Sequence, residues 1–112
     1  MYLPKTDIFN ILSTLNYTVS QASQTVFNEL PVITFEVLDN NVSLFLDNSI
    51  SYQNVTIKID IWAEDSVTAS TILSEVEAIM RQNHYKMTFS GDVPNIDNSL
   101  YHISTRFMTN VG

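Results

Sequence analysis

The sequence predicts an α+β domain in which two helices pack on one face of an antiparallel four-stranded sheet. Three observations indicate this class. Residues 52–62 alternate between apolar and polar side chains, as a half-buried strand does. Residues 4–15 and 66–82 repeat apolar residues at helical spacing. The segments follow the order α-β-β-α-β-β, and consecutive strands joined by hairpin-like connections favour antiparallel pairing.

The first helix is expected over 4–15, where Pro4 suits the first turn and Asn16 is a natural stop. Its apolar stripe consists of Ile8, Ile11, Leu12 and Leu15. Residues 16–20 are compatible with a short extended piece, and 21–30 are ambiguous. Pro31 marks a boundary because the residue before a proline is disfavoured in a helix.

Two strands are expected next, over 31–38 and 52–62. Asp39, Asn40 and Asn41 break the first of them. The residues between the strands predict a long loop, with or without a short strand of its own. A long loop in a small domain is often functional. If its apolar residues are exposed, they form a surface that could bind a partner. The alternative is that they fold back on the core. They are Leu44, Phe45 and Leu46.

The second helix is expected over 66–82, capped by Asp65 or Ser66 and ended by Asn83 and His84. Its apolar face is Ala69, Ile72, Leu73, Val76, Ile79 and Met80. Strands are then expected over 85–90, with Tyr85, Met87 and Phe89 on one side, and over 99–109. The intervening 91–98 is rich in turn residues.

Length and charge narrow the function classes. With 112 residues the chain is expected to form a single domain, 1–112. Twelve acidic and five basic residues give a net charge of −7, which argues against tight binding to nucleic acid phosphates. There is no cysteine, no recognisable signal peptide and no run of ~20 apolar residues that would span a bilayer. The sequence therefore predicts a soluble protein made in the cytoplasm.

No catalytic or metal-binding pattern stands out. The only histidines, His84 and His102, match no zinc spacing and are expected to be structural. Glu64 and Asp65 are adjacent carboxylates, but a helix start explains them. Two glycines cannot build a phosphate-binding loop. We therefore expect no enzyme activity, no cofactor and no metal.

Trp62 ends the second strong strand. Tryptophan is enriched at the centres of protein interfaces, so Trp62 is a candidate contact residue. Packing beneath the following helix is the alternative interpretation.

Several strings together resemble the tail terminator, or tail-completion, proteins of long-tailed bacteriophages, including the tail-to-head joining subgroup. The likeness covers about residues 4–109. It begins with the amphipathic N-terminal helix and continues through Val26–Val37 (VFNELPVITFEV), Val55–Asp65 (VTIKIDIWAED) and a helix with a Glu-rich outer face. It ends with an acidic loop and Leu100–Met108 (LYHISTRFM).

The resemblance implies a structural virion protein. Its members form a ring, usually a hexamer, at the head-proximal end of the tail tube, where they end tube polymerisation and join tail to head. The implied partners are other copies of the chain, the tail tube protein and a head-completion or connector protein. The chain would be located in the virion tail after assembly in the host bacterial cytoplasm, without a membrane. It could be a monomer before assembly.

A ring of this kind would let DNA pass through its lumen without specific binding, which suits an acidic chain. Candidate contacts are Leu44, Phe45, Leu46 and Trp62, and candidate acidic rim or lumen residues are Asp92 and Asp97. Two alternatives stay open. One is another phage neck or tail-assembly protein. The other is a small ferredoxin-like module that binds a ligand or peptide.

Overall fold

Five strands form one mixed sheet in the order β1-β2-β3-β5-β4 in a computed structural model. The structure describes residues 4–22, 30–44, 51–93 and 100–111. Its elements, in chain order, are α1 (Pro4–Ser13), β1 (Thr18–Gln21), β2 (Val32–Leu44), β3 (Ser51–Ala63), α2 (Ser66–Gln82), β4 (Lys86–Val93) and β5 (Tyr101–Val111).

The predicted four-stranded antiparallel sheet is wrong in strand number and in direction. β1 adds a fifth strand and runs parallel to β2, with Thr18 opposite Val32 and Gln21 opposite Phe35. The remaining pairs are antiparallel. β1 is four residues long and partly buried, so its sequence lacks the alternation that reveals a strand. Parallel neighbours cannot be joined by a two-residue hairpin, so the expectation of hairpin-joined antiparallel strands does not hold for β1 and β2.

Both helices pack on one face of the sheet and form a single core with it. α1 contributes Ile8, Ile11 and Leu12, all buried. α2 contributes buried residues that recur at helical spacing, as its sequence predicts; they are Ala69, Ile72, Val76 and Met80. The sheet contributes the odd-numbered residues of β3 and their cross-strand neighbours; the central ones are Ile33, Phe35, Val55, Ile57, Ile59, Ile61, Ile103 and Phe107.

Local signals fix the helix ends. The predicted α2 over 66–82 is confirmed, and Asp65 is its N-cap, with Oδ1 accepting a hydrogen bond from the Thr68 N–H at 2.7 Å. α1 ends at Ser13, two residues before the predicted end. Asn16 and His84, which follow the two helices, adopt positive φ angles of 62° and 68°.

β2 and β3 are longer than the sequence predicts. They stay paired through Leu44 opposite Ser51, so residues 39–44 and 51 belong to the two strands and not to the expected loop. Asp39–Asn41 do not break β2, because a bulge between Val37 and Asp39 absorbs one extra residue. Beyond it, Gln53 Nε2 donates to Asn40 Oδ1 at 2.6 Å, which gives two polar strand residues a partner.

The faces of β4 differ from the prediction. Tyr85 is buried and Met87 packs against the core, but a bulge between Met87 and Phe89 turns Phe89 to the opposite face. One extra residue reverses the alternation of side chains along a strand. The Phe89 side chain is 51% exposed as a result. β4 also continues through Gly91 to Val93, within the segment predicted to be a loop.

Candidate functional site

The sheet face opposite the helices carries a buried polar network. Asp60 on β3 and His102 on β5 are 5% and 9% exposed. Both residues lie on the face that the helices leave uncovered. Asp60 and Trp62 alternate with the core isoleucines of β3, and His102 lies opposite Trp62 on β5. His102 Nε2 lies 2.8 Å from Asp60 Oδ1. A carboxylate can only accept, so Nε2 carries the hydrogen and donates it.

Trp62 completes this network. Its ring stacks on that of His102, with centroids 3.6 Å apart and an interplanar angle of 14°. Its indole Nε1–H donates to Thr34 Oγ1 on β2 at 3.2 Å. The side chain is therefore oriented from two strands at once. The alternative expectation, that Trp62 packs beneath α2, is wrong because α2 lies on the other face.

The network is an internally satisfied set of groups. Lys58 Nζ lies 3.7 Å from Asp60 Oδ2, and no buried side-chain N or O among the described residues lacks a hydrogen-bond partner. No group of three or more potential metal ligands occurs in the described part of the chain. A shallow depression of about 350 Å³ opens beside the network. It is lined by Ala22, Thr34, Glu36, Lys58, Asp60, Trp62 and His102.

The structure places only some of the predicted contact residues. Trp62 lies in the network above. Leu44 is the last residue of β2, and Phe45 and Leu46 lie outside the described residues. Asp92 is exposed on β4, and its Oδ2 accepts a hydrogen bond from the Tyr101 hydroxyl at 2.8 Å. Asp97 lies outside the described residues. The structure thus does not bring the predicted contacts together into one described surface.

A second surface on the same face was not predicted from the sequence. The β4–β5 strip, defined as Lys86, Phe89, Arg106 and Met108, combines two cations with two exposed apolar side chains. The Arg106 guanidinium lies 5.8 Å from the centre of the Phe89 ring. A β-bulge creates the strip, and strict alternation along β4 gives no signal for it.

The N-terminal end of α2 carries acidic side chains, in contrast to the two cations of the β4–β5 strip. The α2 entry patch, defined as Glu64, Asp65 and Val67, is exposed, and Val67 is 74% exposed. Hydrogen bonds from the backbone and side chain of Thr68 hold the pKa of Asp65 below its usual value. Asp65 therefore carries a negative charge at neutral pH.

Two tyrosine–carboxylate hydrogen bonds join elements at the domain surface. The Tyr17 hydroxyl donates to Glu75 Oε2 at 2.6 Å and links the turn before β1 to α2. This hydrogen bond raises the pKa of Tyr17, and the bond to Asp92 likewise raises the pKa of Tyr101. In both cases the carboxylate favours the neutral phenol that donates to it.

Within the described residues, no helix has the length and apolar character needed to cross a membrane.

Comparison with known proteins identifies a shared fold. The chain is similar to one in the structure of the virion of a native gene transfer agent (GTA) particle. The TM-score is 0.61 at 9% sequence identity, and the match covers 90% of this chain and 83% of that chain. No protein-family model matches the sequence, and no curated protein is significantly similar to it.

Proposed function

We propose that this protein is a structural virion protein that forms a ring at the head-proximal end of a phage tail tube, ends tube polymerisation and joins tail to head. The observation that carries the proposal is the fold shared with a chain of a gene transfer agent virion over 90% of this chain. That particle is phage-like. The tail terminator assignment rests on the sequence resemblance, which concerns the same class of particle.

The described surface supports an assembly role. Two of its exposed surfaces, the β4–β5 strip and the α2 entry patch, differ in chemistry and lie apart along β3. Surfaces of this kind suit head-to-tail contacts, which close into a ring when the rotation between subunits is right. The proposed role requires no catalytic step, no cofactor and no metal.

The charge of the chain suits a ring through which DNA passes. A net charge of −7 disfavours binding to phosphates, so DNA would slide rather than adhere. The proposed partners are copies of the chain itself, the tail tube protein and a head-completion or connector protein. The proposed location is the virion tail, after assembly in the bacterial cytoplasm.

The decisive experiment adds the purified protein to polymerising tail tube protein of the same phage. A terminator is expected to bind one end of each tube and to stop its growth, so negative-stain images would show shorter tubes capped by a ring. Light scattering with size exclusion gives the state of the free protein. Tubes that grow uncapped at every ratio of the two proteins would overturn the terminator role.

Another neck or tail-assembly role is the first alternative, and it predicts binding to a connector ring rather than to tube ends. The second alternative is a ligand- or peptide-binding module of ferredoxin-like kind. The depression beside Trp62 is the observation that favours it. It predicts a monomer or dimer whose melting temperature rises with a bound ligand.

A further inference from the structure

Unpaired charge and exposed apolar surface coincide at the β4–β5 strip and at the α2 entry patch. At the β4–β5 strip, neither Lys86 nor Arg106 has an ion pair within the described part of the chain. Phe89 and Met108 beside them are 51% and 41% exposed. Lys86 lies directly opposite Met108 and Phe89 directly opposite Arg106, so the four residues form one continuous surface without a carboxylate.

The α2 entry patch is the complement of this strip. Glu64 has no partner among the described residues, and Asp65 caps α2 by accepting hydrogen bonds from Thr68. Val67 beside them has the largest exposed fraction of the described large apolar residues. Met108 and Arg106 lie opposite Thr56 and Lys58, at least six residues along β3 from Glu64, so the strip and the patch are far apart within one copy.

We propose that the β4–β5 strip of one copy binds the α2 entry patch of the next copy in a head-to-tail contact. Val67 packs against Phe89 and Met108, and Glu64 and Asp65 pair with Lys86 and Arg106. The occupant is a second copy because the same chain carries both complementary surfaces. The inference rests on the proposed function, since it names the subunit contact of the proposed ring.

Seven side chains make a contact smaller than the ~800 Å² per partner of a stable complex. A single contact of this size would be weak. In a closed ring each subunit makes two, and closure makes the last contact intramolecular. Free protein would therefore stay largely monomeric, and rings would form at high concentration or on a tube end.

The absence of cysteine from the chain makes the contact directly testable. Single variants Val67→Cys and Phe89→Cys are mixed under mild oxidation. A head-to-tail contact predicts a disulfide-linked heterodimer, with little homodimer from either variant alone. A matched control pairs Phe89→Cys with Phe9→Cys, because Phe9 is another exposed apolar residue, 45% exposed, on α1. Cross-linking no faster than in this control would overturn the proposal.

The double variant Val67→Cys/Phe89→Cys is expected to give a ladder of covalent multimers that stops at the ring number. Charge is tested in the same assay. Arg106→Glu is expected to slow cross-linking about tenfold, and adding Glu64→Lys to the copy that carries Val67→Cys is expected to restore much of the rate. A cross-linking rate that is the same with and without these charge reversals at 106 and 64 would overturn the assigned pairing.

The outcomes separate this contact from the proposed function. Capped tubes together with control-level cross-linking would overturn the contact and leave the terminator role standing. Efficient, charge-dependent cross-linking of a protein that never caps tubes would support the contact and overturn the terminator role.

Discussion

Trp62 and His102 lie directly opposite each other across β3 and β5, and their rings stack at 3.6 Å. The pair stands over the sheet on the side that the helices do not cover, where aromatic surface would otherwise meet solvent. Stacking covers one face of each ring, while Thr34 and Asp60 accept from the two ring N–H groups. The stacked pair thus shields part of the open sheet face from solvent, although no helix packs there.

Asp60 is expected to be the most sensitive member of this network. Asp60→Ala would leave the His102 Nε2–H without its acceptor and would lower the free energy of unfolding by about 1–3 kcal/mol. Asp60→Asn keeps an acceptor oxygen and should cost clearly less. Urea denaturation followed by the fluorescence of Trp62, the only tryptophan, measures both. Equal losses in the two variants would show that the hydrogen bond to His102 does not stabilise the fold.

Tyr17 should ionise at a higher pH than an ordinary tyrosine, because its hydroxyl donates a hydrogen bond to Glu75 and this bond raises its pKa. A raised pKa in the folded state means that this contribution to stability is present below the unfolded pKa of about 10 and is lost as pH rises through the folded value. Glu75→Gln is expected to lower the pKa of Tyr17. Ultraviolet absorbance of tyrosinate follows the titration.

Glu77→Gln is the matched control, because Glu77 pairs with Arg81 at 3.5 Å and belongs to the same helix. It should leave the tyrosine titration unchanged. Asp92→Asn should lower the pKa of Tyr101 in the same way. An unchanged titration curve in Glu75→Gln would contradict the hydrogen bond between Tyr17 and Glu75.

Asp65 should make α2 sensitive to acid. Its folded pKa is lowered, so its contribution to stability is present above the unfolded pKa of about 3.9 and is lost as pH falls through the folded value. Asp65→Ala is expected to lower Tm by roughly 5 °C at neutral pH. The difference from the native protein should shrink in acid. Asp65→Ser, which retains a capping oxygen, serves as the control in thermal melts followed by circular dichroism; a difference that is constant with pH would argue against the cap.

The parts of the fold that depend on local patterns could be predicted from the sequence. The apolar stripe and a capping residue at 65 or 66 predict α2 over 66–82, and strict alternation predicts most of β3. The first strand could not be predicted in the same way. Its neighbour in the sheet is β2, and nothing within its four residues specifies that partner or the parallel direction.

The β4–β5 strip and the polar network could not be predicted from the sequence, because both depend on how the strands pair. A bulge shifts alternation by one residue, so Phe89 leaves the core face that Tyr85 and Met87 share. The network between Asp60 and His102 joins residues that are 42 positions apart in sequence. In the sequence, each of them is an ordinary polar residue of a predicted strand. Only the register of β3 against β5 brings the two side chains together.

Ile59 should be among the most important apolar residues of the domain. It is fully buried on the central strand, with Phe35 opposite it on β2 and Thr105 on β5. The Thr105 hydroxyl also donates to its carbonyl oxygen at 2.7 Å. Ile59→Ala is expected to lower the free energy of unfolding by about 2–5 kcal/mol, and Ile59→Val by about 0.5–1.5 kcal/mol, because the smaller side chains leave a cavity.

Val67→Ala is the matched control for Ile59, since Val67 is the same kind of side chain at an exposed position of α2. It should change stability by less than about 0.5 kcal/mol. Urea denaturation at a protein concentration that keeps the chain monomeric gives all three values. If Val67→Ala destabilised the monomer as much as Ile59→Ala, the surface on which the proposed head-to-tail contact depends would be part of the core instead.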